Sequence, residues 1–369
     1  MSKQPNQKSI VFYIGSLSRG GAERVIVNLA AYFRDSGYQV TILTKEQDSV
    51  EYPVPEGITR MLADITGDEI SSNRIVNLYC RIAKLRNIFK RLAPDYIVSF
   101  IKKNNFMAIT SAAGLHIPVI VSVRSNPARE YPDWVMRLLA NVLFAKTAGV
   151  VLQTGQAREF FSAAVQKKVV VLPNSLSEQF LQTKYKGERK KEIVWVGRMD
   201  DNKNPGMLLQ AFEKIAEKYP EWTLKYIGDG PLMNKMKEQS QKEKYADRIY
   251  FTGRIQDVAT EIQSASVFVL TSKQEGMPNA LMEAMVSGLA VVSTDCPCGG
   301  PAELIDDGVN GILIPVDDEQ ALTKALDKLL SDEEYRNRLS EAAKRLIEKV
   351  HPDMVNRKWL EYIESRSDY

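Results

Sequence analysis

The chain has 369 residues, 44% hydrophobic and 26% charged, which is apolar material for two cores at roughly 150 residues per domain and excludes a disordered chain. With 49 basic against 46 acidic residues, the net charge of +3 excludes the dominant basic face of a nucleic-acid binder. Three cysteines (Cys80, Cys296, Cys298) and two histidines (His116, His351) make neither a disulfide framework nor a ready zinc set, and fit a reducing compartment.

Residues 1–8 are polar and lack the apolar core of an export signal. The most apolar long stretch, Val135 to Leu152, is interrupted by Arg137, Asn141 and Lys146 and is not expected to span a bilayer. The expectation is a cytoplasmic chain, at most peripheral on the inner face of a membrane.

In chain order, β-rich runs are predicted at 10–14, 39–43, 96–100, 119–123, 150–153 and 169–172, with helical patterns at 22–34, 72–92, 134–145 and 156–163 between them. Strand–helix alternation implies right-handed βαβ units and a parallel sheet. The apolar pattern lapses after Pro173-Asn174, so residues 174–190, ending in the charged run from Lys186, read as a linker. A second series follows, with strands at 193–196, 223–227, 249–251, 267–270, 290–293 and 311–314. Its helices are predicted at 205–218, 232–244, 279–287, 319–330 and 333–349. The domains are therefore 1–173 and 191–351, and a last helix within 352–369, after the break at His351-Pro352, is expected to cross back to the first.

Both halves open with a strand, a glycine-containing turn and a helix. Gly20-Gly21 lets backbone N–H groups approach an anion at a helix N-terminus, or simply makes a tight turn; it meets neither the dinucleotide nor the P-loop fingerprint. Arg198 and Lys203 stand in the equivalent turn of the second half. Two cations there can close on one diphosphate, or be ordinary surface charges. In Glu275-Gly-Met-Pro-Asn-Ala-Leu-Met-Glu283, Gly276 and Pro278 force a turn and a helix starts near Asn279, aiming positive charge at a phosphate. Glu283, one turn in, can accept hydrogen bonds from a ribose diol, and Glu275 can hold sugar hydroxyls. The bland alternative, a helix-dipole carboxylate and a surface one, leaves the Gly-Met-Pro-Asn turn unexplained.

Residues 271–304, TSKQEGMPNALMEAMVSGLAVVSTDCPCGGPAEL, resemble the donor-site signature of the family four retaining glycosyltransferases with the GT-B fold. The resemblance extends in order to GGAERV at 20–25, LPNS at 172–175, VGRMDDNKNP at 196–205 and YIGDGP at 226–231, so it covers nearly the whole chain. Its closest flavour is the bacterial enzymes that build capsule, O-antigen and lipid-linked oligosaccharides.

The resemblance implies an α/β, GT-B architecture: two facing Rossmann-like, doubly wound domains with a cleft between them. It implies a retaining, metal-independent transfer of a hexose or N-acetylhexosamine, from a UDP-linked donor, to a glycan or polyprenyl-diphosphate-linked acceptor in polysaccharide biosynthesis. By position, Arg198 and Lys203 match the catalytic pair on the donor diphosphate, Glu275 the carboxylate near the transferred sugar, and Glu283 the one on the ribose. The resemblance likewise implies that the backbone of Gly276, Met277, Pro278, Asn279, Ala280 and Leu281 lines sugar and phosphate, that Arg254 and Ile255 lie beside the base, and that Gly20 and Gly21 face the phosphates. Related sequences often read Ser-Glu-Arg-Asn after the fifth strand; here Ser122-Val-Arg-Ser-Asn126 keeps Arg124, an acceptor-side candidate, but has Val123 at the Glu position. A nucleotide-sugar epimerase of the same architecture and a non-catalytic two-lobed sugar-binding protein are the alternatives.

One further expectation concerns 72–92. Ile75, Leu78, Ile82, Leu85, Phe89 and Leu92 form one helical stripe flanked by Arg74, Arg81, Lys84, Arg86, Lys90 and Arg91. Such a helix lies on anionic lipid or packs on its own sheet behind a solvated basic rim.

Overall fold

A computed structural model describes residues 7–18, 20–182, 185, 187–242 and 244–367. Lys186 of the charged run, one position of the expected 232–244 helix, and the last two residues of the chain lie outside that set. The chain divides into two compact units: residues up to Pro173 together with those from Asp353 on, and Asn174–Pro352.

The first unit is built on β1 (Ser9–Ile14), β2 (Gln39–Thr44), β3 (Thr59–Leu62), β4 (Tyr96–Phe100), β5 (Val119–Ser122), β6 (Gly149–Leu152) and β7 (Val169–Val171). They form one parallel sheet in the order β3-β2-β1-β4-β5-β6-β7. The order reverses between β1 and β4, where Tyr13 pairs with Ser99. The loops leaving a sheet at such a reversal diverge and leave a crevice beyond the strand ends. The central strands are buried along their whole length, as strands covered by helices on both faces must be. Helix Pro352–Glu364 belongs to this unit: Trp359 stacks on Phe100 with ring centroids 5.6 Å apart, and Tyr362 Oη accepts the Val150 N–H at 3.0 Å.

The second unit has β8 (Lys190–Val196), β9 (Thr223–Ile227), β10 (Ile249–Gly253), β11 (Ala265–Leu270), β12 (Ala290–Thr294) and β13 (Ile312–Ile314), parallel, in the order β10-β9-β8-β11-β12-β13. Side chains alternate across this sheet, as the period of two requires. Ile193, Trp195, Val267 and Val269 enter one core with Phe212, Tyr226 and Leu326, while Val194, Phe268 and Leu270 enter another with Leu281, Met285 and Val291. The order reverses between β8 and β11.

Three expectations need correction. The stretch expected as a linker is structured: Leu176 and Phe180 are buried in the second unit, a short helix spans Gln179–Gln182, and β8 already begins at Lys190. Leu176 and Phe180, with Leu181 packed against the same core, anchor this mostly polar stretch. An unexpected helix, Lys102–Ala112, follows β4; it buries Asn104, Asn105 and Ser111 along with its apolar residues, which erases the amphipathic period. In helix Arg74–Leu92 the expected stripe is split. Leu85, Ile88 and Phe89 are buried, whereas Ile75, Leu78 and Tyr79 are 78%, 50% and 72% exposed. No helix among the described residues is long and apolar enough to cross a membrane.

Candidate active site

In the second unit, the loop after β8 and the loop after β11 leave the sheet at its reversal, and they are stitched together. Gly197 N–H donates to Ile227 O at 3.0 Å and Met199 N–H to Asp229 O at 3.0 Å, which joins the β8 loop to the β9 loop. The approach is so close that a Cβ on Gly228, at φ +135°, would lie 1.9 Å from Gly197 O; only glycine fits. Lys273 N–H donates to Asn202 O at 2.7 Å and Asn202 Nδ2 to Gln274 O at 3.1 Å. Thr271 Oγ1 donates to Lys203 O at 2.9 Å and itself accepts from Trp195 Nε1 at 3.2 Å.

This stitching brings Lys203 Nζ to 2.5 Å from Glu275 Oε1, the same oxygen that accepts from Ser272 Oγ at 2.6 Å. Both charged side chains are mostly buried, at 25% and 12% exposure, so the pair is screened less than a surface pair. Arg198 stays 73% exposed, with Asp200 Oδ2 at 3.7 Å. The expected pair of cations thus divides into one held by a carboxylate and one reaching into solvent.

Glu275 is fixed through its backbone by the loop after β12. Its N–H donates to Pro297 O at 2.8 Å and its carbonyl accepts from Cys298 N–H at 3.0 Å. Cys296 and Cys298 are both free and buried. Burial, with help from the nearby Glu275 charge, pushes the Cys296 thiol up to about 12, so it stays protonated. Gly300 abuts Gly276 so tightly that a Cβ there would sit 1.6 Å from Gly276 O.

Helix Asn279–Val286 starts directly after, capped by Pro278. Asn174 Nδ2 donates to Met277 O at 3.2 Å and to Asn279 Oδ1 at 2.7 Å, bracing the turn. The first N–H groups of a helix have no partner within it, so Asn279, Ala280 and Leu281 present donors there. Glu283 is not a surface residue: it is 6% exposed. Arg254 and Ile255 follow β10, whose last residue, Gly253, accepts the Gly228 N–H at 2.9 Å; this ties them to the same loop cluster.

The remaining sequence candidates lie in the first unit. Gly20 caps helix Gly21–Asp35 in an extended conformation, and the Glu23 carboxylate leans over it, its pKa raised by burial. Arg124 follows β5 with its guanidinium 5.3 Å from the centre of the Phe100 ring. Burial pushes it below its ordinary value, opposed by the charge of Glu130. Val123 is buried, and the carboxylate whose charge acts on Arg124 is Glu130, six residues on. Its carboxyl accepts from Ser125 Oγ at 2.7 Å and Lys102 N–H at 3.2 Å, and burial raises its pKa. Sequence reasoning missed Glu130, Ser272 and the Pro297–Cys298 backbone contacts. Only the first had a trace in the sequence, as an acidic residue near the departing motif.

The fold is similar to a crystal structure of Anabaena Alr3699/HepE in complex with UDP, with a TM-score of 0.80 over 97% of this chain and all of that one, at 16% identity. Two parallel α/β units of this kind are the GT-B fold. Residues 19–179 match the family model described as Glycosyltransferase Family 4, and residues 177–346 the one described as Glycosyl transferases group 1. The chain belongs to glycosyltransferase family 4. It is 27% identical over 366 residues, covering 96% of this chain and 98% of the relative, to a Campylobacter jejuni protein named GalNAc-alpha-(1->4)-GalNAc-alpha-(1->3)-diNAcBac-PP-undecaprenol alpha-1,4-N-acetyl-D-galactosaminyltransferase. It is 22% identical over 364 residues, 95% and 98% of the two chains, to an amylovoran biosynthesis glycosyltransferase of Erwinia amylovora. These likenesses favour a transferase over an epimerase or a sugar-binding protein.

Proposed function

We propose that this glycosyltransferase moves a hexosyl or N-acetylhexosaminyl group from a UDP-linked donor, with retention and without a metal, to a glycan or lipid-linked glycan in envelope polysaccharide synthesis. The observation that carries the reading is the contact of Lys203 with Glu275 at the sheet reversal, beside Arg198 and the N-terminus of helix Asn279–Val286. The donor diphosphate lies against Arg198, Lys203 and the helix N–H groups, which stabilise the charge it gains on leaving. Glu283 accepts from the ribose hydroxyls and Glu275 from those of the sugar. With both motif carboxylates on hydroxyls, neither serves as the nucleophile of a covalent intermediate. The bond from the anomeric carbon to the diphosphate breaks, the acceptor oxygen bonds on the same face, and its proton passes to the departing phosphate. The UDP complex of the structural neighbour and the undecaprenol-linked substrate in the relative's name support the donor and acceptor classes.

A screen of UDP- and GDP-sugars for nucleotide release, with lipid-linked acceptors and NMR of the product, tests the reading. We expect UDP and a retained anomeric configuration, with activity intact in excess EDTA. Inversion, a glycosyl group trapped on Glu275, or activity restored to a chelated sample only by Mg²⁺ or Mn²⁺ refutes the corresponding part.

The same reading has the enzyme peripheral on the inner face of a membrane through 72–92. The exposed Ile75, Val76, Leu78 and Tyr79 support it, with Arg74, Lys90 and Arg91. Arg81, Lys84 and Arg86 contribute less, since they are bound to Asp64, Glu69 and the carbonyls of Ser111 and Ala113. Flotation with anionic vesicles at low salt decides: absence of binding removes this element.

A further inference from the structure

The first unit contains a cavity of about 460 Å³ to which no donor-site role above is assigned. Its walls come from three helices: Leu78 and Ile82 of Arg74–Leu92, Phe106 and Met107 of Lys102–Ala112, and Leu139 and Leu143 of Trp134–Phe144. Its charged lining comes from the carboxyl ends of β2 and β3 and from the first turn of Lys102–Ala112: Lys45, Asp64 and Lys103, with Arg81 joined to Asp64 at 2.7 Å. Three cations face one carboxylate, which pairs with Arg81, so two positive charges are in excess. The cavity is thus apolar along its helices and cationic where the strands end, the end at which parallel α/β sheets bind ligands. Outside it the apolar character continues. Leu78 and Leu139 are 50% and 40% exposed, and Val135, Leu138 and Val142 of the same helix as Leu139 face solvent beside Trp134. Contiguous exposed apolar surface of this kind marks an interaction site.

We propose that this cavity holds the chain of an amphipathic lipid phosphate, with the phosphate at Lys45, Lys103 and Arg81 and the first carbons of the chain between the three helices. The inference rests on the lipid-linked acceptor reading above and names the part of the acceptor that the first unit grips. The volume fits: small-molecule sites run to about 300–1,000 Å³, and an apolar cavity of about 150 Å³ holds one benzene, so there is room for about three isoprene units. The charge selects the class, because an anionic head satisfies the excess cations and a neutral lipid or an acidic peptide with no chain uses only one half of the lining. A longer chain leaves the cavity over Leu139 and Leu138, toward the exposed apolar face.

Calorimetry on the full chain tests the proposal with inorganic phosphate, isopentenyl phosphate, farnesyl phosphate and farnesol. Farnesyl phosphate should bind at least about tenfold more tightly than isopentenyl phosphate, since the added carbons are buried, and more tightly than farnesol. Met107→Trp, which fills the cavity, should weaken farnesyl phosphate at least tenfold. Leu139→Glu, at a position open enough to fold with a charge, should do the same. UDP binding should be unchanged in both, which shows that they are folded. Equal affinity across chain lengths overturns the proposal. So does farnesyl phosphate binding that survives both substitutions, binding only to anionic vesicles (a bilayer-docking face), or a dimer that Leu139→Glu dissolves without any lipid phosphate binding (a face for a second copy). The donor screen reads the other reading separately: chain-length-dependent binding with no nucleotide release from any donor would leave this cavity assigned and the transfer reading refuted.

Discussion

Lys203 and Glu275 meet at 2.5 Å, so each holds the other's geometry. In the proposed reaction the Lys203 ammonium passes from the Glu275 carboxylate to the donor diphosphate. A hydrogen bond to a charged group contributes roughly 1.5–3 kcal/mol. Lys203→Ala is therefore expected to lower kcat/KM by about ten- to a hundredfold, and Glu275→Gln combined with it should cost less than the sum of the two. A double-mutant cycle in steady-state kinetics measures this; strict additivity would mean that the pair does not act as a unit. Glu283 sits apart from that pair, buried in its helix. Glu283→Gln should raise the Kd for UDP while leaving the Kd for inorganic diphosphate unchanged, and equal loss for both would remove it from the ribose.

Elements carry the next set of effects. The loop between β1 and helix Gly21–Asp35 is held by Glu51, whose carboxylate accepts from Leu17 N–H at 3.2 Å and pairs with Arg60 at 2.5 Å. The Arg60 hydrogen bonds hold the Glu51 pKa down at about 2, against an ordinary 4.5. A depressed folded-state pKa stabilises the fold fully above the ordinary value, and that contribution is lost as pH falls from about 4.5 to about 2. Unfolding midpoints of wild type and Glu51→Gln should differ at pH 6 and converge across that window; a constant gap would contradict the assignment. At β6, a Cβ on Gly149 would lie 2.5 Å from Tyr362 Oη. Gly149→Ala should therefore destabilise by about 1–3 kcal/mol through overpacking, lowering Tm by roughly 2–4 °C for each kcal/mol; an unchanged Tm would mean that the returning helix is not seated there.

What the sequence made legible follows the same physics. Parallel strands buried on both faces are runs of Val, Ile and Phe, so β1, β4, β8 and β11 could be read directly. β3 could not: it is a four-residue edge strand with no fully buried position. Helix Lys102–Ala112 escaped because its inward faces are made of Asn, Ser and Ala as much as of Ile, and periodicity detects contrast rather than burial. At the site, the turn glycines and the Glu275–Glu283 spacing stand in the sequence. The backbone contacts that hold Glu275 do not, because they run through the carbonyl of Pro297 and the N–H of Cys298, which almost any residue could supply.

For the molecule as a whole, the chain's path matters more than either sheet. The first unit begins with β1 and ends with helix Pro352–Glu364, where Lys8 Nζ meets Glu364 Oε1 at 2.8 Å and Tyr38 Oη donates to the same carboxylate at 2.7 Å. Trp359 is fully buried against Phe100, so a chain ending at His351 lacks part of the first core and none of the second. Limited proteolysis of residues 1–351 should leave a resistant fragment near 174–351 and digest the rest; a resistant 1–173 fragment would show that the first unit stands without its last helix.

That arrangement sets a timetable for the growing polypeptide. A chain leaves the ribosome from its N-terminus, and domains fold as their sequence emerges. Here the unit that is made first is finished last, since its closing helix is translated after all of Asn174–Pro352. The later unit can therefore be complete while the earlier one still exposes the apolar bed of Trp359. Until helix Pro352–Glu364 has emerged, the nascent enzyme carries its vulnerable surface on the half that has been outside longest.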